Sequence, residues 1–148
     1  MRRASRQAGR VSIVLIAGVV SVLLVVFLIF FNGESARSAA AEFMSALSKG
    51  DVNTLTELST VHKKSPDEIR QEWREAMTYG RSYLFYWEIT GVTNEKSDSA
   101  TVRIDLTANP LSPASYPEHK ELSMVKVDGK WKVDVPEITR DMFPYMPQ

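Results

Sequence analysis

The side chains able to do chemistry are few and scattered. His62, in VHKKS, and His119, in PEHKE, are the only histidines, and there is no cysteine, which excludes disulfides, thiolate nucleophiles and thiolate metal sites. Neither histidine has a recognisable partner at metal-ligand or triad spacing, so both are read as exposed loop residues. Proton transfer would then fall to carboxylates and a phenol. Glu88, Asp105 and Asp134 are the nearest thing to a carboxylate set, but they occupy the strand parity opposite to the apolar one and are expected to face water. Tyr83 is placed to donate a hydrogen bond, either to a ligand or, as a buried tyrosine commonly does, to backbone. No residue is assigned a catalytic, cofactor-binding or metal-binding role, and no cofactor is implied.

Two apolar groupings remain. The aromatic set Tyr83, Phe85, Tyr86, Trp87 and Trp131 is either core or, for Tyr83, Phe85, Trp87 and Trp131, the lining of an apolar pocket. The C-terminal PEITRDMFPYMPQ, with Met142, Phe143, Tyr145 and Met146, is more apolar than a free tail. It is expected to pack back on the domain, or else to touch a partner or the membrane surface, with Phe143 and Tyr145 as the partner contacts. Lys63 and Lys64 are read as solvated surface.

The elements that must position these groups follow from periodicity. Ala36, Ala39, Ala40, Phe43, Met44 and Leu47 trace one helical stripe that begins near Ser35 and ends at Lys49 and Gly50. Asp51 caps a short second helix carrying Val52, Leu55 and Leu58. Ser65, Pro66 and Glu68 form a capping-box start for a third, with Ile69, Trp73, Ala76 and Met77 inward and Gly80 at its end. The period then changes to 2. SYLFYWEITGV sets Tyr83, Phe85, Trp87 and Ile89 on one face and Tyr86, Glu88 and Thr90 on the other, and ATVRIDLTA sets Val102, Ile104 and Leu106 inward, with Arg103 and Asp105 outward. NPLSPASYPE is a loop because its prolines exclude a central strand. ELSMVKV and KWKVDV flank Asp128-Gly129, which predicts a type I′ hairpin pairing Lys126 with Trp131, Met124 with Val133 and Leu122 with Val135. The expected fold class is α+β, about three helices packed on a curved, cone-like sheet of about four strands.

Residues 11–31, VSIVLIAGVVSVLLVVFLIFF, contain no charge in 21 positions. At about 1.5 Å per residue such a helix spans roughly 30 Å, the thickness of a bilayer's hydrocarbon. Arg2, Arg3, Arg6 and Arg10 precede it, so the positive-inside bias predicts residues 1–10 in the cytoplasm, a single-pass cell-membrane anchor over 11–31, and an extracytoplasmic domain over 32–148. A cleaved signal peptide is the rival, with Ser38-Ala39-Ala40 as the cleavage site. The apolar run is longer than the roughly 7–15 residues of a signal core, and cleavage there would cut the first soluble helix. A lipoprotein anchor needs a cysteine. Ala17 and Ser21 form one small-residue pair at helical spacing, a lipid-facing pair or a helix contact. The domain carries 14 Lys and Arg against 18 Asp and Glu, a balance that gives no reason to expect nucleic acid.

The opening AAAEFMSALSKGDVNTLTEL and the closing hairpin VKVDGKWKVD resemble the nuclear transport factor 2-like, or cystatin-like, superfamily over residues 35–136. The resemblance is greatest to small bacterial members of unknown function held by a membrane helix or lipid anchor. It implies a cone-shaped fold shared by isomerases, dehydratases, subunits of secretion and transport machines, and regulatory domains, in which homodimers often form through the open sheet face. The enzymes among them project carboxylates, tyrosines or histidines into the cone. Here the inward positions Phe85, Trp87, Ile89, Val102, Ile104, Leu106, Met124 and Val133 are apolar, and no acid, base or metal pattern of the family matches. The function expected is a membrane-tethered, non-enzymatic interaction or assembly module, as a homodimer or in an envelope complex. The alternative is a binder of a small apolar ligand in the cone, or less readily an isomerase- or dehydratase-like enzyme.

Overall fold

The computed structural model describes residues 35–148; the expected cytoplasmic segment 1–10 and the anchor 11–31 lie outside them. Among the described residues no helix is long and apolar enough to cross a membrane. Three helices open the order: α1 (Ala36–Lys49), α2 (Val52–Leu58) and α3 (Pro66–Tyr79), with β1 (Ser59–Thr60) between the last two. β2 (Phe85–Thr93), β3 (Ser99–Ala108), β4 (Glu118–Val127) and β5 (Lys130–Asp134) follow, then a 3-10 turn (Val135–Glu137).

The helix ends lie where local chemistry puts them. Ser35 and Ser38 form a reciprocal capping box for α1, and Gly50 closes it with φ 70°, a left-handed conformation that glycine adopts without Cβ strain. Asp51 accepts from the backbone N–H groups of Asn53 and Thr54. Ser65 and Glu68 complete the second capping box, with Pro66 in the first turn.

The fold is α+β, with a five-stranded mixed sheet in the order β1-β5-β4-β3-β2. The expectation of about four strands missed β1, whose two residues pair parallel with Val133 and Asp134. A two-residue strand has no period to read. Asp128 and Gly129, at φ 51° and 79°, make the hairpin turn, and Lys126 pairs with Trp131 and Met124 with Val133 as expected. The expected Leu122–Val135 pair does not form. β5 ends at Asp134 because Pro136 has no N–H to donate, and the chain turns into the 3-10 segment instead. β2 begins at Phe85, three residues after the start of the expected stretch at Ser82, since Tyr83 N–H closes a turn onto the Gly80 carbonyl. The register of β2 also shifts between Ile89 and Gly91, a bulge that brings Val92 opposite Val102.

One face of the sheet supplies Val102, Ile104, Leu106, Leu122, Met124 and Val133 to a core closed by Ala39, Ala40, Phe43 and Met44 of α1. Phe43 meets Trp73 of α3 edge-on at 5.8 Å, and the Trp73 indole N–H donates to the Ser59 hydroxyl at 2.9 Å. The tail belongs to this core: Ile138, Met142, Phe143 and Met146 are buried.

Candidate functional site

The mouth of the helix-covered face lies where the start of β2, the end of β3, the start of β4 and the C-terminus of α3 converge. The tail occupies it. Phe143 meets Tyr83 at 5.4 Å and Phe85 at 6.0 Å, both edge-on, and its ring lies where a side chain at position 80 would have to go. Gly80 has φ −82°, so the glycine is needed there for space, not for conformation. What stays open is a surface recess of about 290 Å³ bounded by Leu47, Met77, Tyr83, Leu84 and Phe143.

Beside these rings sits a charged group that the sequence pattern did not reveal. Lys120 takes the inward parity of β4, opposite Ile104, and its ammonium donates to Glu118 at 2.8 Å and to Asp141 of the tail at 2.7 Å. Its side chain is only 9% exposed. The Asp141 hydrogen bond, then that to Glu118, raises the lysine's pKa, and the same contact to Lys120 lowers that of Asp141. Tyr83 is pushed up, mainly by burial and then by the Glu118 charge. At neutral pH the lysine is therefore an ammonium and the tyrosine a phenol; both can donate hydrogen bonds and neither is a base.

Of the residues expected to line a pocket, Tyr83 and Phe85 meet here, at 5.9 Å. Trp87 lies further along β2 opposite Leu106 and is half-buried. Trp131 is on β5, separated from β2 by β4 and β3, and is buried with the Lys126 ammonium 5.2 Å above its ring. Of the two residues expected to contact a partner, Phe143 is 2% exposed and closes the mouth, whereas Tyr145 is exposed.

The opposite sheet face corrects the reading of His119. It lies on β4, not in a loop, directly opposite Asp105, and its Nδ1 is 2.6 Å from an Asp105 oxygen. The imidazole is exposed and Glu88 flanks Asp105 on β2, while the next row sets Arg103 opposite Glu121. Thr90, Arg103, Asp105, His119 and Glu121 border a shallow concavity of about 440 Å³. The pairing was missed because β4 was started at Glu121; extending the alternation by two residues would have placed His119 on the outward parity with Asp105. His62 is exposed in the turn after β1. Asp134 is half-buried, and burial first, then the Glu137 charge, raises its pKa. Among the described residues no three His, Asp or Glu side chains are grouped to hold a metal ion.

No protein-family model matches the chain. No curated protein matches it either. Solved structures do. A calcium/calmodulin-dependent protein kinase type II association-domain protein from Thiobacillus denitrificans is similar at 9% identity over 66% of this chain and 87% of its own, with a TM-score of 0.49. A ketosteroid isomerase-like protein from Erwinia carotovora atroseptica is similar at 16% identity, over 66% and 86%, with a TM-score of 0.45. A protein of unknown function with a cystatin-like fold from Nostoc punctiforme is similar at 19% identity, over 66% and 81%, with a TM-score of 0.46. These are likenesses of fold at low identity, and at TM-scores below 0.5 none carries an argument about this chain's activity.

Proposed function

We propose that the chain is a membrane-tethered extracytoplasmic module of the nuclear transport factor 2-like kind that binds a protein partner, a second copy or a component of an envelope complex, and is not an enzyme. The observation that carries this reading is the burial of Phe143 in the mouth, where an enzyme of this architecture would need open space. The charge-free run at 11–31, preceded by four arginines, supports the tether. The outer sheet face, with its paired and unpaired charges, is the surface left for a partner. The test is crosslinked affinity purification of the full chain from native membranes, followed by mass spectrometry, against a control bearing residues 1–34 alone. A stoichiometric partner, or a crosslinked second copy, absent from the control is expected; recovery of the chain only as an uncrosslinked monomer would refute the assembly role.

The recess beside Phe143 favours a second reading, a small apolar ligand held against Tyr83 and Met77. Its measurement is saturable binding of an environment-sensitive apolar dye, which Phe143→Ala would strengthen if a ligand shares the mouth with that ring.

A further inference from the structure

Residues 138–148 close the mouth without joining the hydrogen-bonded framework of the fold. Their backbone–backbone bonds are local turns, from Ile138 N–H to the Val135 carbonyl and from Met142 N–H to the Thr139 carbonyl. Side chains hold the segment instead: buried Met142, Phe143 and Met146, and the Asp141 carboxylate on the Lys120 ammonium at 2.7 Å. A terminal segment attached in this way can lift without breaking a helix or a strand. Beneath it lies a charge for which an apolar core has no use. Lys120 takes an inward position on β4 with its side chain 9% exposed, and the sheet itself supplies only one of its carboxylate partners, Glu118. The other comes from the tail. So does the ring that fills the space over Gly80 against Tyr83 and Phe85.

We propose that the tail is the internal occupant of a binding site for an apolar monocarboxylate, an aromatic ring joined to one carboxylate, which takes the places of Phe143 and Asp141 when the tail lifts. The ring half follows from the walls. Phe143 borders the recess together with Leu47, Met77, Gly80 and Tyr83, so withdrawing its ring joins that space to the recess and leaves a slot faced by aromatic and aliphatic carbon. The carboxylate half follows from Lys120. Once Asp141 leaves, the ammonium keeps Glu118 alone, and a neutral ligand would bury it short of an acceptor. One monoanion restores the pairing that Asp141 gave. A dianion such as phosphate would set its second charge against Glu118 and offer the rings nothing. The Tyr83 phenol, close enough to Glu118, Lys120 and Asp141 to feel their charges, is a further donor at the same place.

The inference rests on the second reading above and deepens it by naming the ligand's class; the contrast between acid and amide lets the two fail separately. The full chain, ¹⁵N-labelled in maltoside micelles, is titrated with hydrocinnamate and, in parallel, with hydrocinnamamide, its uncharged isostere. Saturable shifts are expected at the amides of Gly80, Tyr83, Lys120 and Asp141 with the acid, and binding about tenfold weaker with the amide. A closed tail lowers the apparent affinity by the open fraction, so loosening it should tighten binding by the same factor. Asp141→Asn, at a side chain two-thirds exposed, should tighten hydrocinnamate about fivefold, and Phe143→Ala at least as much. Lys120→Met should reduce the acid to the affinity of the amide. If Phe143→Ala disturbs the fold, the surface change Asp141→Asn carries the test. Equal binding of acid and amide by the parent would overturn the carboxylate assignment while leaving the mouth a ligand site. Hydrocinnamate affinity unchanged or lowered in Asp141→Asn would overturn the tail as occupant. Absence of saturable shifts in both the parent and Asp141→Asn would overturn the inference, alone if the apolar dye still binds and together with the second reading if it does not.

Discussion

Alanine at position 80 would place a methyl carbon 2.6 and 2.8 Å from two ring carbons of Phe143 and 2.9 Å from the carbonyl oxygen of Ala76. Carbon–carbon contacts are comfortable at about 3.5–4.0 Å, so the ring would have to move by about an ångström. The dihedral angles at position 80 do not object, although the Ala76 contact is to backbone. Gly80 sits at φ −82°, ψ 4°, where alanine is allowed, and a glycine-to-alanine change at such a site ordinarily stabilises by about 0.4–1 kcal/mol through the unfolded state. Here the sign reverses, because Phe143 is buried and wedged edge-on against Tyr83 and Phe85. Overpacking of this kind costs about 1–3 kcal/mol, which less the entropic gain leaves a net loss of about 0–2.6 kcal/mol, about 1.3 kcal/mol at the centre of both ranges. For a domain of this size that lowers the midpoint of thermal unfolding by roughly 4–8 °C. The assay is urea and thermal unfolding of the full chain in micelles, followed by tryptophan fluorescence, for Gly80→Ala, Phe143→Leu and the double variant. The smaller side chain relieves the ring part of the clash and leaves the Ala76 carbonyl contact, so the double variant should be more stable than the sum of the single losses predicts, by at least about 0.5 kcal/mol. Gly80→Ala as stable as the parent, or strict additivity, would show that the tail does not hold Phe143 against α3.

Trp73→Phe should cost about 1–3 kcal/mol in the same unfolding assay, because it keeps most of the ring but strands the Ser59 hydroxyl, which is 1% exposed, and adding Ser59→Ala should recover part of the loss. Lys120→Met removes the partner of Glu118 and Asp141, and since Asp141 is two-thirds exposed the loss should be about 1 kcal/mol or less. Lys120 has a raised pKa, so its contribution is fully present below the ordinary lysine value of about 10.4 and fades as pH climbs through the folded one; Asp141 has a lowered pKa, so its contribution is present above about 3.9 and fades as pH falls through the folded one. The parent's advantage over Lys120→Met should accordingly be level from about pH 5 to 9 and shrink beyond either end. An advantage that grows in acid would refute the pairing.

Much of the fold is visible along the chain because its causes are local. A serine three residues before a glutamate starts α3, Gly50 stops α1, Asp-Gly turns the last hairpin, and each stripe of apolar residues marks the face that will be covered. A strand's parity likewise places Val102, Ile104 and Leu106 inward without reference to anything distant. The candidate site was harder to read. Its aromatic residues were legible as apolar, but whether Tyr83 and Phe85 would line an empty pocket or a filled one depended on where a segment some sixty residues further on would come to rest.

The sequence by itself determined the element types, the caps, the hairpin register next to its turn and the charge-free run at 11–31, since each depends on residues a few positions apart. Tertiary structure alone decided that Ser59 and Thr60 extend the sheet, that a bulge resets β2, that Asp105 meets His119, that Lys120 turns inward to hold Asp141, and that Phe143 closes the mouth against Gly80. Those outcomes join groups far apart in the chain, and their geometry is set by packing once the sheet has formed. Local periodicity carries no record of which distant partner fills a given space.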